Sequence, residues 1–129
     1  MTSGSLQGMA RHRLHVQANS GFLKQALVMF LASALAGVVD VGGFPTAGAE
    51  LADIVVAVSS SCPPDACREL TRLGSSVIVL AAIPTAMDES RYLAAGVAAY
   101  LPMEANSRAL LDTVTRALDA RAARSASSG

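Results

Sequence analysis

The sequence predicts an α/β domain with a doubly wound, five-stranded parallel sheet of strand order 2-1-3-4-5. Short apolar runs such as Val77-Ile78-Val79-Leu80 have no polar face, which is typical of strands covered by helices on both sides. Helical segments that close on glycines such as Gly96 alternate with these runs, so neighbouring strands are expected to run parallel. Five β-α units in this arrangement predict the doubly wound sheet.

The composition is typical of one well-buried globular domain. Of its 129 residues, 52% are hydrophobic and only 16% are charged. Ten basic and ten acidic residues cancel, so no net charge favours nucleic acid or an anionic membrane. The apolar run from Ala26 to Val39 is shorter than the roughly 20 residues of a membrane span, and the N-terminus lacks the apolar core of a signal peptide. A cytoplasmic protein is predicted.

The first half of the chain contains two predicted strands. Residues 1–12 are predicted to be a flexible leader, followed by a strand from Arg13 to Ala18 and a helix from Gly21 to about Leu35. A second strand covers Val38 to Val41. The glycines and proline of the next segment leave room only for a shortened second helix around Thr46 to Leu51.

The second half alternates strands and helices in the same way. The strands are Asp53 to Ser59, Ser76 to Ala82 and Ala98 to Leu101, and the helices are Asp65 to Leu73, Met87 to Ala95 and Ser107 to about Arg121. The strand beginning at Asp53 is apolar on both faces and is predicted to be central. The domain thus covers residues 13–121, and residues 122–129 are predicted to be a disordered tail or a truncated linker.

One family resemblance emerges from the stretch Ser75 to Met103. A strand VIVLAA, a helix closing on AAGV and a second strand AYL resemble the second half of response-regulator receiver domains of the NarL/FixJ type. In receivers a hydroxyl residue precedes an aromatic by about nineteen positions, and a lysine follows that aromatic by three; the residues here are Ala81, Tyr100 and Met103. The resemblance covers about Arg13 to Ala120 and implies a flavodoxin-like (CheY-like) fold.

The residues that carry receiver chemistry are absent from these positions. Receivers hold Mg²⁺ and a phosphoryl group with two acids after the first strand, an aspartate after the third, the hydroxyl residue and the lysine. The corresponding residues are Ala18, Asn19, Val58 or Ser59, Ala81 and Met103. No acid precedes Asp40, and the one lysine, Lys24, falls in the first helix. The resemblance therefore implies a degenerate pseudo-receiver without catalytic residues, metal or cofactor.

A receiver without phosphate chemistry would act through its surface. The function implied is phosphorylation-independent binding to itself or to another regulatory protein, in bacterial signalling or transcriptional control. The expected interaction face comprises Tyr92, Leu93, Val97, Tyr100, Leu110, Leu111, Val114 and Leu118. The first helix with the last helix is the second candidate surface. DNA binding is expected only if a helix-turn-helix domain follows in the native chain.

Alternatives to this function remain open. The emptied pocket, lined by Ala18, Asn19, Ser59, Ala81 and Met103, could hold a small ligand. The serine run from Ser59 to Ser61 could donate hydrogen bonds to an anion or could be a solvated loop. Tyr100 could pack in place or still switch between positions. A small flavodoxin-like enzyme is disfavoured, because no acid, base and nucleophile can be assembled at the strand ends.

The two cysteines, Cys62 and Cys67, are too few to complete a zinc site. They are expected to be free reduced thiols. Because Cys62 falls in a loop and Cys67 about one turn into the next helix, the two could lie close together. A redox switch is therefore the functional alternative.

Overall fold

The computed structural model describes residues 12–18, 20–36, 39–42, 53–103 and 107–128. Its strands are β1 (His12–Gln17), β2 (Val39–Gly42), β3 (Ile54–Val58), β4 (Ser76–Ala81) and β5 (Ala99–Pro102), and its helices are α1 (Gly21–Ala34), α2 (Pro64–Arg72), α3 (Ala86–Ala94) and α4 (Ser107–Ser128). The strands pair in the order β2-β1-β3-β4-β5, all parallel. The predicted fold class is confirmed; the leader up to Arg11 and the shortened helix around Thr46 to Leu51 lie outside the described residues.

Strand β3 lies at the centre of the sheet, as its apolar sequence predicts. It pairs with β1 on one side and β4 on the other, and all five of its residues are buried. Successive side chains point to opposite faces of a strand. Ile54 and Val56 therefore pack on one side of the sheet, and Val55 and Ala57 pack on the other.

Two separate apolar cores result, one on each face. The α1 and α4 face contains Leu14, Val16, Leu31, Leu35, Ile54, Val56, Ile78, Leu80, Leu110, Val114 and Leu118. The α2 and α3 face contains Val55, Ala57, Cys62, Cys67, Val77, Val79, Tyr92, Ala95 and Val97. Within the described ranges, no helix combines the length and apolar character needed to cross a bilayer.

Local signals set the helix ends. The hydroxyl oxygens of Ser20 and Thr85 accept hydrogen bonds from backbone N–H groups three residues later, at the starts of α1 and α3. After α2 and α3 the chain turns through Gly74 and Gly96, whose φ angles are +107° and +98°. At Gly96 a Cβ would also approach the Thr71 hydroxyl to 3.0 Å, so this turn requires glycine.

The last helix is longer than predicted. The sequence interpretation ended it near Arg121, but α4 continues to Ser128. Residues 122–128 include three alanines and one arginine, which are good helix formers. None of these seven residues is a glycine or a proline. The segment interpreted as a disordered tail therefore extends the helix.

Arg121 ties α4 to the amino-terminal edge of the sheet. Its guanidinium donates hydrogen bonds to the Gly74 carbonyl at 2.8 Å and the Ser76 hydroxyl at 3.2 Å. It also donates to a carboxylate oxygen of Asp53 at 3.2 Å, while the other oxygen of Asp53 accepts from the backbone N–H of Arg13 at 3.0 Å. Asp53 thus links β1, β3 and α4 at the edge opposite the strand ends that form ligand sites in such sheets.

Replacing this arginine should destabilise the domain. We expect Arg121→Ala to lower the free energy of unfolding by about 1–3 kcal/mol, because it removes a charged donor from Asp53 and from the Gly74 carbonyl. Arg116→Ala, at an exposed position of the same helix, is the control and should change it by less than about 0.5 kcal/mol. Urea unfolding followed by circular dichroism measures both, and equal effects would contradict the role of Arg121.

Candidate functional site at the carboxyl edge of the sheet

The carboxyl ends of the parallel strands bring most of the predicted pocket together. Ala18 directly follows β1, Val58 ends β3 and Ser59 follows it, and Ala81 ends β4. Met103 follows β5, and its backbone N–H donates to the Ala81 carbonyl at 2.7 Å. The remaining predicted position, Asn19, lies outside the described residues.

None of these described positions carries an ionisable side chain. Val58 and Ala81 are buried, and Ala18, Ser59 and Met103 are half-buried. Across the part of the chain that the structure describes, no three histidine, cysteine, aspartate or glutamate side chains come together as a metal site would require. The edge therefore has an apolar and hydroxyl-bearing character.

Ser61 occupies the crevice between β1 and β3, where the strand order reverses. Its hydroxyl lies 3.0 Å from the carbonyl of Gln17 and 2.9 Å from that of Val58, and shares its proton between them. The sequence left open whether the serine run donates to an anion or is solvated; at Ser61 the hydroxyl instead joins the ends of two strands. Ser59 to Ser61 form one turn of 3-10 helix. Sequence reasoning missed this bridge because its partner Gln17 is distant along the chain.

Tyr92 holds the same turn from the side of α3. Its hydroxyl lies 3.1 Å from the Ser59 carbonyl and 3.0 Å from the Cys62 carbonyl, and donates to both. Burial raises the pKa of Tyr92 to about 12, with nearby Cys67, Cys62 and Asp88 adding to the shift. The neutral Tyr92 hydroxyl therefore contributes to the stability of the fold. That contribution is fully present below the ordinary tyrosine pKa near 10 and is lost as the pH rises through about 12.

The two tyrosines form a stacked pair. The rings of Tyr92 and Tyr100 have centroids 5.5 Å apart and an interplanar angle of 30°. The Tyr100 hydroxyl is buried and has no hydrogen-bond partner among the described residues. Leaving such a group unpaired costs about 1–3 kcal/mol.

Packing corrects the expected interaction face. Five of its residues are buried in the two cores: Tyr92, Val97, Leu110, Val114 and Leu118. The apolar stripe of α4 covers the sheet, so its side chains meet strand residues such as Leu14 and Ile54 and not solvent. Leu93 alone of the eight is exposed, whereas Tyr100 and Leu111 are half-buried.

The cysteines lie beside the same turn. Both are buried free thiols whose sulfur atoms are 3.3 Å apart, which confirms the predicted proximity. A hydrogen bond from the Cys67 thiol lowers the pKa of Cys62, although burial opposes that shift. The same hydrogen bond, together with burial, raises the pKa of Cys67.

A separate apolar cavity opens between α1 and α4. Its volume is about 350 Å³, and it is lined by Leu23, Ala26, Leu27, Phe30, Leu80, Leu101, Pro102, Met103, Ser107 and Leu110. Of the described residues predicted for an emptied pocket, only Met103 reaches it. Space for a ligand thus lies beside β4 and β5, away from the crevice that Ser61 spans.

Comparison with solved structures assigns this fold. No family model matches the chain, and no curated protein sequence matches it. The signal receiver domain of a LuxO repressor protein from Vibrio parahaemolyticus is similar, with a TM-score of 0.75 over 92% of this chain and 98% of its own, at 14% identity. The chain has the receiver-domain fold.

Other receiver domains match over a similar extent. That of the response regulator NarL from Mycobacterium tuberculosis gives a TM-score of 0.67 at 16% identity, covering 84% of this chain and 97% of its own. A LuxR family DNA-binding response regulator from Silicibacter pomeroyi gives 0.69 at 16% identity, covering 84% and 93%. In this chain, the turn from Ser59 to Ser61 directly follows the central strand β3, at the carboxyl edge of the sheet.

The tyrosine pair offers a matched test of this packing. Tyr92→Phe removes a donor to two carbonyls and should lower the free energy of unfolding by about 1–2 kcal/mol. Tyr100→Phe removes an unpaired hydroxyl and should leave stability unchanged or raise it by up to about 1 kcal/mol. Both variants keep the stacked rings. Denaturant unfolding distinguishes them, and a larger loss in Tyr100→Phe would show that its hydroxyl has a partner.

Proposed function

We propose that this domain is a pseudo-receiver that acts in bacterial signalling or transcriptional control by binding protein, without phosphorylation and without enzymatic activity. The observation that carries the proposal is the chemistry of the carboxyl edge. The described positions of the phosphorylation site hold Ala18, Val58 or Ser59, Ala81 and Met103. These side chains include neither a carboxylate to bind a metal cation nor a positively charged group to neutralise a phosphoryl group.

Aspartyl phosphorylation needs three groups that these residues do not supply. A carboxylate is the nucleophile, further carboxylates bind Mg²⁺ through hard oxygen ligands, and a cation neutralises the charge that arrives. Ser61 also bridges the carbonyls of Gln17 and Val58 across the crevice. Because this hydrogen-bonded serine joins the two strand ends, the crevice is better suited to a static scaffold than to a switch that responds to phosphate.

Exposed apolar side chains and the near absence of charge support α1 as the binding face. Phe22 is 86% exposed and Met29 is 63% exposed, and a spacing of seven residues places them on one side of the helix. Lys24 is the only charged residue of α1. A helix that is apolar around its circumference is usually covered, and a symmetric self-contact is the commonest cover. A homodimer through α1, the second candidate surface of the sequence analysis, is therefore the proposed assembly.

The fold and its neighbours support the proposed setting. The solved structures with this fold include response regulators of the NarL and LuxR types, and the latter are described as DNA-binding. We place the present domain in the cytoplasm, in the same kind of signalling. Its own contact with DNA would require a further domain.

Phosphodonor treatment tests the loss of phosphorylation. Incubation with acetyl phosphate and Mg²⁺ should leave the intact mass unchanged, because no carboxylate stands at the described positions of the site. A receiver domain with its full set of acids, treated in parallel, is the control and should gain one phosphoryl group. A stoichiometric, hydroxylamine-labile mass gain in this protein would refute the proposal.

Charge substitutions test the association surface. Phe22→Glu combined with Met29→Glu should shift the protein from dimer to monomer in sedimentation velocity, with an unchanged circular dichroism spectrum. Leu93→Glu, at the exposed apolar position of the face first expected, is the matched control and should leave the dimer intact. Dissociation by Leu93→Glu alone would assign the contact to α3 instead.

A small-molecule sensor is the second candidate function. The apolar cavity of about 350 Å³ between α1 and α4 favours it, since ligand pockets are concave and mostly apolar. Among the described residues of its lining, Ser107 has the one hydroxyl side chain, so the ligand would be small and largely apolar. A wild-type protein that stays monomeric at high concentration would favour this function over the first.

A further inference from the structure

Two buried cysteines meet directly beneath the turn that follows β3. Cys62 and Cys67 are 1% and 0% exposed, and their sulfur atoms are 3.3 Å apart. The first turn of α2 positions them, since the backbone N–H of Cys67 donates to the Pro63 carbonyl at 3.0 Å. Within the described ranges no third metal-ligating group joins them. The pair is therefore suited to sulfur-sulfur chemistry and not to holding a zinc ion.

The geometry is close to that of a bonded pair. A disulfide bond is about 2.05 Å long, so the two sulfur atoms need to approach by roughly 1.3 Å. Cys62 lies in the loop just before α2, whose backbone can adjust, while Cys67 is fixed within the helix. Closure is therefore expected to move the loop residue Cys62 more than Cys67.

The two thiols are also unequal. Either thiol can donate to the other sulfur at 3.3 Å, and the Cys67 thiol is also positioned to donate to the Cys62 carbonyl at 3.6 Å. When Cys67 is the donor, its thiol stabilises a thiolate on Cys62, and the thiolate is the form that reacts. Cys62 is then the attacking sulfur, and Cys67 is positioned to resolve the product.

We propose that Cys62 and Cys67 form a reversible redox site that a small hydroperoxide, such as hydrogen peroxide, converts to a disulfide. The Cys62 thiolate attacks one peroxide oxygen, the O–O bond breaks, and the leaving hydroxide takes a proton to become water. Cys67 loses its proton and attacks the resulting sulfenic sulfur, whose oxygen leaves as the second water. The two thiols lose two electrons and the peroxide gains two.

Access to the pair is controlled by the turn above it. The hydroxyls of Ser61 and Tyr92 hold this turn through hydrogen bonds to four backbone carbonyls. Ser60 and Pro63, at the surface of the turn, are exposed. Only a small oxidant fits such a site, and it enters when the turn opens. Oxidation is therefore expected to be slower than at an exposed thiol and to speed up when the turn is loosened.

The disulfide would also change the surroundings of the tyrosine pair. The Cys62 carbonyl accepts from the Tyr92 hydroxyl, and Tyr92 stacks on Tyr100 of β5. A shift of Cys62 on closure therefore reaches α3 and β5 through direct contacts. This site is independent of the pseudo-receiver proposal, because it uses neither a phosphoryl group nor the α1 surface.

Intact-mass spectrometry and peptide mapping of the folded wild-type protein test the site. After hydrogen peroxide, the mass should fall by two hydrogen atoms, one peptide pair should be linked through Cys62 and Cys67, and dithiothreitol should restore the starting mass. Cys67→Ser should instead accumulate a sulfenic acid on Cys62 that dimedone traps. If this variant does not fold, peptide mapping of the oxidised wild-type protein still shows whether Cys62 and Cys67 are linked.

Loosening the turn supplies the second readout. Ser61→Ala and Tyr92→Phe each remove hydrogen bonds that hold the turn and should speed disulfide formation about two- to tenfold. Tyr100→Phe keeps those bonds and should leave the rate unchanged. The proposal is overturned if the thiols stay reduced until the protein unfolds, if oxygen atoms are added without a disulfide, or if the disulfides join separate chains.

Discussion

The structure depends on covering two largely apolar strands, β3 and β4, on both faces. Every residue of β3 is buried, and β4 is buried from Val77 to Ala81. A parallel strand with no polar face can exist in water only when helices cover it on both sides. The alternation of side chains then divides the interior into two cores, with α1 and α4 on one side and α2 and α3 on the other.

This constraint also positions the candidate site. In a sheet whose strands all run parallel, the chain leaves every strand at the same edge, so the residues after β1, β3, β4 and β5 become neighbours. The turn from Ser59 to Ser61 sits there at the reversal of strand order. Hydrogen bonds from Ser61 and Tyr92 hold it in place, and Cys62 and Cys67 lie against it.

Under the proposed function, the receiver fold is present in this chain without the receiver reaction. The fold requires buried strands, helix ends and core volume, and this chain supplies all of them. The reaction requires carboxylates and a cation at the carboxyl edge, and the described positions supply apolar and hydroxyl side chains instead. At the opposite edge, an ion pair between Arg121 and Asp53 fastens the last helix to the sheet.

The sequence by itself determined the parallel sheet, its strand order and most helix ends, because these follow from local patterns: apolar runs, N-caps, and glycines such as Gly74 and Gly96 that take positive φ. Ala81 and Met103 were assigned to the pocket from the resemblance to receiver domains. Tertiary structure decided which apolar side chains of α3 and α4 face the core. An apolar stripe does not reveal how deeply its residues lie, so Leu110 and Val114 were interpreted as surface. Only packing could join Ser61 to Gln17, 44 positions earlier, since such contacts depend on where distant segments meet.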